Sequence, residues 1–183
     1  PAGQSAQVTL ADLESGNTDK GLIGTLGNGQ GLWRLNVSAD TNVEIMSLVR
    51  SPDGFVTNMS RTVPAITGVN NVWFFNPASN TDQESVLRLV NTSVSAGTLN
   101  LSAMDDDGND ADGTITIDLD AGAAKQVSAS DLESGNATLG VVGQFGNGSG
   151  RWRLRITSSV NVSSQSLLQT PDGLLTNMSR AAE

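Results

Sequence analysis

One segment of this chain occurs twice. A shift of 119 residues lays Ala2–Arg61 on Ala121–Arg180 without a gap, and 31 of the 60 aligned positions are identical. The identities gather in motifs. Asp12-Leu-Glu-Ser-Gly-Asn17 returns as Asp131-Leu-Glu-Ser-Gly-Asn136, Gly27-Asn-Gly29 as Gly146-Asn-Gly148, and Trp33-Arg-Leu35 as Trp152-Arg-Leu154. Pro52-Asp-Gly54 returns as Pro171-Asp-Gly173, and Thr57-Asn-Met-Ser-Arg61 as Thr176-Asn-Met-Ser-Arg180. The unique residues 64–120 separate the copies, so the layout is A–B–A′. Duplications of this kind build architectures from like units, each covering a neighbour's apolar surface. Pro1-Ala-Gly3 aligns with Asp120-Ala-Gly122, so the chain starts inside the repeat, as a fragment or processed chain would. The unit is expected to begin near Val63-Pro64, where Pro64 and the small or polar residues Ala65–Asn71 read as a linker. Residues 64–183 are then one complete β-sandwich repeat, and residues 1–63 the C-terminal half of another whose first half is absent.

Apolar residues alternate with period two, as half-buried strands require. Leu99, Leu101 and Ala103 share a face, as do Ile115, Ile117 and Leu119. Trp152, Leu154 and Ile156 oppose Arg151, Arg153 and Arg155, and Trp33, Leu35 and Val37 repeat that pattern in the first copy. Val72–Phe75, Val86–Val90, Lys125–Ala129 and Val162–Leu168 are further strand candidates. Pro-Asp-Gly and Gly-Asn-Gly supply turns, and Ser130–Ser134 reads as a short capped helical turn. The expected fold is all-β, with immunoglobulin-like antiparallel β-sandwich repeats of seven to nine strands each.

Composition removes several chemistries. With no Cys and no His, the chain has no thiol nucleophile, disulfide, zinc finger or imidazole base. A net charge of -9 repels a phosphate backbone, so nucleic acid is not an expected partner. No apolar run reaches the roughly 20 residues of a membrane-spanning helix. Eight Asn-x-Ser/Thr sequons, at Asn36, Asn58, Asn91, Asn100, Asn136, Asn147, Asn161 and Asn177, follow from the high Asn, Ser and Thr content.

Val72-Trp-Phe-Phe-Asn-Pro-Ala-Ser-Asn80 and Val86-Leu-Arg-Leu-Val-Asn91 open a longer pattern. Asp105-Asp-Asp-Gly108, Leu119-Asp-Ala-Gly122, the Asp-Leu-Glu-Ser-Gly-Asn motif, Trp152-Arg-Leu154 and Leu174-Leu-Thr-Asn177 continue it. This order resembles a tandem β-sandwich repeat module of large secreted or cell-surface proteobacterial proteins, a family without an agreed activity. The resemblance spans 64–183 and the matching half in 1–63, and implies an extracellular repeat.

The densest charge cluster is Asp105-Asp-Asp-Gly-Asn-Asp-Ala-Asp-Gly113. Asp105, Asp107 and Asn109 place hard oxygen donors at alternate positions, the kind Ca²⁺ takes. Asp110 and Thr116 stand where an EF-hand needs Gly and Glu, so the alternatives are another Ca²⁺ geometry or a solvated acidic hairpin. Asp131 and Glu133 offer two carboxylates for acid–base work, but two residues apart on a short turn they diverge and are expected to cap. Arg151, Arg153 and Arg155 can grip an anionic glycan or pair with acids, and Trp73, Phe74 and Phe75 can stack on a sugar or pack inside. The expected function is therefore non-catalytic, with no cofactor: an extracellular structural repeat that stacks on neighbouring copies into a stalk, fibre or surface assembly. The alternative is an adhesion module for glycan or Ca²⁺.

Overall fold

The computed structural model describes residues 5–30, 33–60, 63–80 and 83–179. By internal contacts the chain divides into two units, Pro1–Glu44 and Ile45–Glu183.

In the first unit, α1 (Leu10–Ser15) is one capped turn and a half. Thr9 accepts from the Asp12 N–H while the Asp12 carboxylate accepts from the Thr9 N–H, a reciprocal capping box. A 3₁₀ turn at Thr18–Lys20 follows, capped by the Asn17 side chain, which accepts from the Lys20 N–H. Trp33 to Ser47 carries no helix or strand.

The second unit opens with a small hairpin of β1 (Leu48–Arg50) and β2 (Val56–Asn58), closed by the Pro-Asp-Gly turn. Eight strands follow: β3 (Val63–Phe75), β4 (Glu84–Asn91), β5 (Gly97–Met104), β6 (Ile115–Leu119), β7 (Ala124–Ser128), β8 (Val141–Gly143), β9 (Trp152–Gln169) and β10 (Leu175–Asn177). A second capped turn, α2 (Ala129–Ser134), joins β7 to β8. All pairings are antiparallel, and the order is β7-β4-β9-β5-β6-β8, with β3 and β10 also on β9. The fold is thus all-β and antiparallel, as the alternation predicts.

The 18-residue β9 organises everything else. Its first half pairs with β5 from Arg153 to Ser158, and its second half pairs with β4 from Val162 to Gln169. Between them, Ser158 to Val162 is a corner. There the Ser158 hydroxyl donates to the Val160 carbonyl at 2.7 Å and accepts from the Val160 N–H at 3.1 Å. A side chain bonding nearby backbone in this way breaks the ladder and turns the strand. Thr92 N–H donates to the Asn161 carbonyl at 2.9 Å and Asn161 N–H to the Ser93 hydroxyl at 2.9 Å, pinning the corner to the loop after β4. Gly97 lies against Val160 so closely that a Cβ there would overlap its methyl groups.

Both halves of the sheet bury one shared core. Leu87, Leu89 and Val127 come from one half, and Leu99, Leu101, Ile115, Ile117, Leu154 and Ile156 from the other. Ala129 and Leu132 of α2 and Phe145 fill in around them. Trp152 stacks on Phe75 at 6.5 Å and meets Phe145 edge-on at 5.2 Å, both favoured ring geometries. The Gly-Asn-Gly turn is explained here. Gly146 takes a positive φ of 74°, while a Cβ on Gly148 would run into Pro77 and the Trp152 ring.

Two expectations differ from the structure. Residues Ala65–Asn71, expected as a linker, belong to β3. Gly68, Asn70 and Asn71 interrupt the apolar alternation, but β9 supplies the pairing that local sequence does not announce. Pro64 is compatible because β3 pairs on one side only, leaving an edge where a missing N–H costs nothing. Second, Trp33, Leu35 and Val37 repeat the β9 pattern without forming a strand. Among the described residues no helix is long and apolar enough to cross a membrane.

Candidate functional site

The duplicated Asp-Leu-Glu-Ser-Gly-Asn motif builds the same turn twice. In the second copy the Asp131 carboxylate accepts from the Ser128 N–H (2.9 Å), the Ser128 hydroxyl (2.8 Å) and the Asn136 amide (2.6 Å). Partial burial pushes the Asp131 carboxyl up, but the bonds from Asn136 and Ser128 outweigh it and hold it below the ordinary carboxylate value. Glu133 points elsewhere and accepts from the Ser79 N–H at 2.8 Å and hydroxyl at 2.7 Å. The two carboxylates are committed to different partners, and Asp131 is held ionised where a general acid would need a proton. In the first copy Lys20 adds an ion pair at 2.5 Å to Asp12, and its bond, with those of Thr9 and Asn17, lowers that carboxyl strongly.

The acidic run forms the connection from β5 to β6. Asp105 accepts from the Asn109 N–H at 2.8 Å and its side-chain amide at 3.1 Å, which lower its carboxyl. Asp106 accepts from the Arg151 N–H at 3.2 Å. Of the expected Ca²⁺ donors, Asp105 and Asn109 therefore meet each other as acceptor and donor. Among the described residues no three acidic side chains converge as a metal cage requires.

The wet face of β3, β9 and β5 carries the aromatic and arginine residues. A register shift between Val72 and Phe75 lets both face inward, Phe75 beside Trp152, and leaves Trp73 59% exposed. The Arg151 guanidinium lies 5.0 Å from the Phe74 ring centroid, a cation–π contact. Arg153 reaches the Asp105 carbonyl at 3.4 Å, so its partner is backbone rather than the acid expected. Trp73, Asn71, Ser102, Asp110, Arg153 and Arg155 line a shallow cleft of about 270 Å³.

One more site has no counterpart among the sequence expectations. Within the second unit, the β1–β2 hairpin lies against its own repeat counterpart, formed by the end of β9 with β10. The Asn177 amide donates to the Asn58 carbonyl at 3.1 Å, between residues 119 apart and therefore equivalent in the two copies. Thr57 hydroxyl donates to the Leu175 carbonyl, and the Gln165 amide donates to the Met59 carbonyl at 3.1 Å. Phe55, Val56, Leu174 and Thr176 line a groove of about 500 Å³ between the hairpins. The sequence signal was present: Thr-Asn-Met-Ser follows Pro-Asp-Gly in both copies, beyond what a turn alone needs.

No known family model matches the chain. No curated protein matches it either. Among solved structures, the Anabaena sensory rhodopsin transducer is similar over 55% of this chain and 96% of its own, at 13% identity and a TM-score of 0.40.

Proposed function

We propose that this protein is a non-catalytic extracellular structural repeat whose modules stack into a stalk, fibre or surface assembly. The observation that carries the reading is the contact between repeat-equivalent hairpins, with Asn177 on Asn58 and Thr57 on Leu175. A surface that recognises its own copy is the element from which a periodic array grows. We read the module as a variant of the immunoglobulin-like sandwich, a reading supported by its all-β antiparallel pairing and by the long β9 shared between β4 and β5. A sequence without Cys or His is compatible with work done by surface and repetition.

The test is the double variant Thr57→Val and Asn177→Ala. Hydrogen exchange at residues 56–58 should rise at least tenfold while β5 and β9 keep their protection. Unchanged exchange at the hairpin would refute copy-on-copy packing as the organising contact.

A second reading, a glycan-binding module, is favoured by the exposed Trp73 beside Arg153 and Arg155, since a sugar acid takes both an aromatic platform and guanidinium donors. An array of anionic oligosaccharides, compared between the native chain and Trp73→Ala, separates it from the first.

A further inference from the structure

We propose that residues 33–43 are a docking strand, and that its occupant is the β3–β5 segment of an adjoining copy of the module. This rests on the stacking reading and names the partner in the stack. The duplication itself supplies the argument. Residues 152–162 are the equivalent stretch, and there the matching sequence is a strand with β3 on one side and, on the other, β5 as far as Ser158 and β4 at Val162. Leu154, Ile156 and Val162 are 2%, 0% and 0% exposed in that setting. Their equivalents Leu35, Val37 and Val43 are 49%, 60% and 57% exposed, although the alternation that makes a strand is intact. An alternating pattern whose apolar side is left about half exposed calls for strands on its edges, and addition of a strand satisfies backbone and side chains together.

The same unit shows that the docking strand's surroundings are already prepared. Leu26 N–H donates to the Leu13 carbonyl at 2.9 Å and Gly27 N–H to the Glu14 carbonyl at 3.2 Å. The second copy makes the same two bonds, Phe145 to Leu132 at 2.8 Å and Gly146 to Glu133 at 3.0 Å. Gly29 lies under Trp33 as Gly148 lies under Trp152. What differs is the cover: Leu26 is 53% exposed where Phe145 is 0%. The occupant's chemistry is read from the strands that cover the second copy. It presents Val72 and Phe75 on one strand and Leu99, Leu101 and Ala103 on the other, in the register those residues take on β9.

The experiment titrates a fluorescently labelled synthetic peptide of residues 63–104 into the full chain. Saturable binding is expected, with hydrogen exchange at residues 33–43 slowing at least tenfold and exchange at 152–158 unchanged. The double variant Leu35→Asp and Val43→Asp, placed on exposed residues, should weaken binding at least tenfold while β9 keeps its protection. Absence of saturable binding, or equal binding by the variant, overturns the proposal. Protection gained at 33–43 but lost at 152–158 also overturns it, since the chain's own β3–β5 would then be exchanging. A failed titration with hairpin protection at 56–58 still dependent on Thr57 and Asn177 would discard the docking strand and leave the stacking contact standing.

Discussion

The duplication places one leucine in two environments, which turns a core substitution into an internally controlled experiment. Leu154 and Leu35 share Trp-Arg before them and follow the same Gly-Asn-Gly turn, yet one is 2% exposed and the other 49%. Leu154 sits on β9 among Leu101, Ile115 and Trp152 in the shared core. Truncating it to Ala removes transfer energy and leaves a cavity, together about 2–5 kcal/mol. Leu35 loses contacts it has only in part, and half-exposed substitutions of this kind cost about 0.5 kcal/mol. The gap of at least ~1.5 kcal/mol corresponds to roughly 10-fold in the unfolding equilibrium. Urea denaturation followed through tryptophan fluorescence reads it, because Trp152 is 2% exposed and its environment changes on unfolding. With a slope of about 2 kcal/mol per molar urea, Leu154→Ala should move the midpoint by about 1–2.5 M. Leu35→Ala should move it by a few tenths of that. Equal shifts for the two variants would refute the claim that identical sequence is stabilised here by non-local cover.

Three further outcomes follow from the geometry. Gly97→Ala puts a Cβ into the Val160 methyls at the β9 corner and should cost about 1–3 kcal/mol by the same titration. Asn91 is 0% exposed and its amide lies 2.8 Å from the Ser95 carbonyl and 3.1 Å from that of Asp120, so Asn91→Leu should cost about 1–3 kcal/mol through carbonyls left without a donor. Asp131 has its folded pKa below the unfolded value of about 3.9, so its contribution is complete above that value and disappears as pH falls through the folded pKa. The melting temperature of the native chain should therefore fall as pH drops below about 4, and Asn136→Ala should flatten that fall.

The parts of the fold legible in the sequence are those decided within a few residues. The capped turn read at Ser130–Ser134 is present as α2, starting one residue earlier with Ser128 as its cap, and Thr9 caps its counterpart in the first copy with matching hydrogen bonds. The Pro-Asp-Gly turns match too, with Gly54 N–H donating to the Ser51 carbonyl and Gly173 N–H to that of Thr170. Most strands of the second unit were legible as well, since Leu99, Leu101, Ile115 and Ile117 alternate plainly. Three things were not. The role of residues 65–71 depended on β9, more than 80 positions away, as did the division of β9 between β4 and β5. The hairpin contact required two copies in register, and a single-copy reading of Thr-Asn-Met-Ser shows only a turn exit. Of the candidate sites, the acidic run was placed correctly between two strands, while the pairing of Asp105 with Asn109 depended on backbone geometry.

The contrast between the copies also separates two causes that most proteins confound. Local chemistry writes the turns: Asp12 and Asp131 make the same box whether or not the residues beyond are buried. Strand formation at 152–166 is not written locally, because the equivalent 33–47 has the alternation and the preceding turn but no strand. An isolated strand gains no hydrogen bonds to offset its ordering entropy, so its stability belongs to the strands beside it. On the docking proposal, the sheet at residues 33–43 is completed by strands of an adjoining copy, so the half-exposed Leu35, Val37 and Val43 are the side chains whose cover the peptide titration reads.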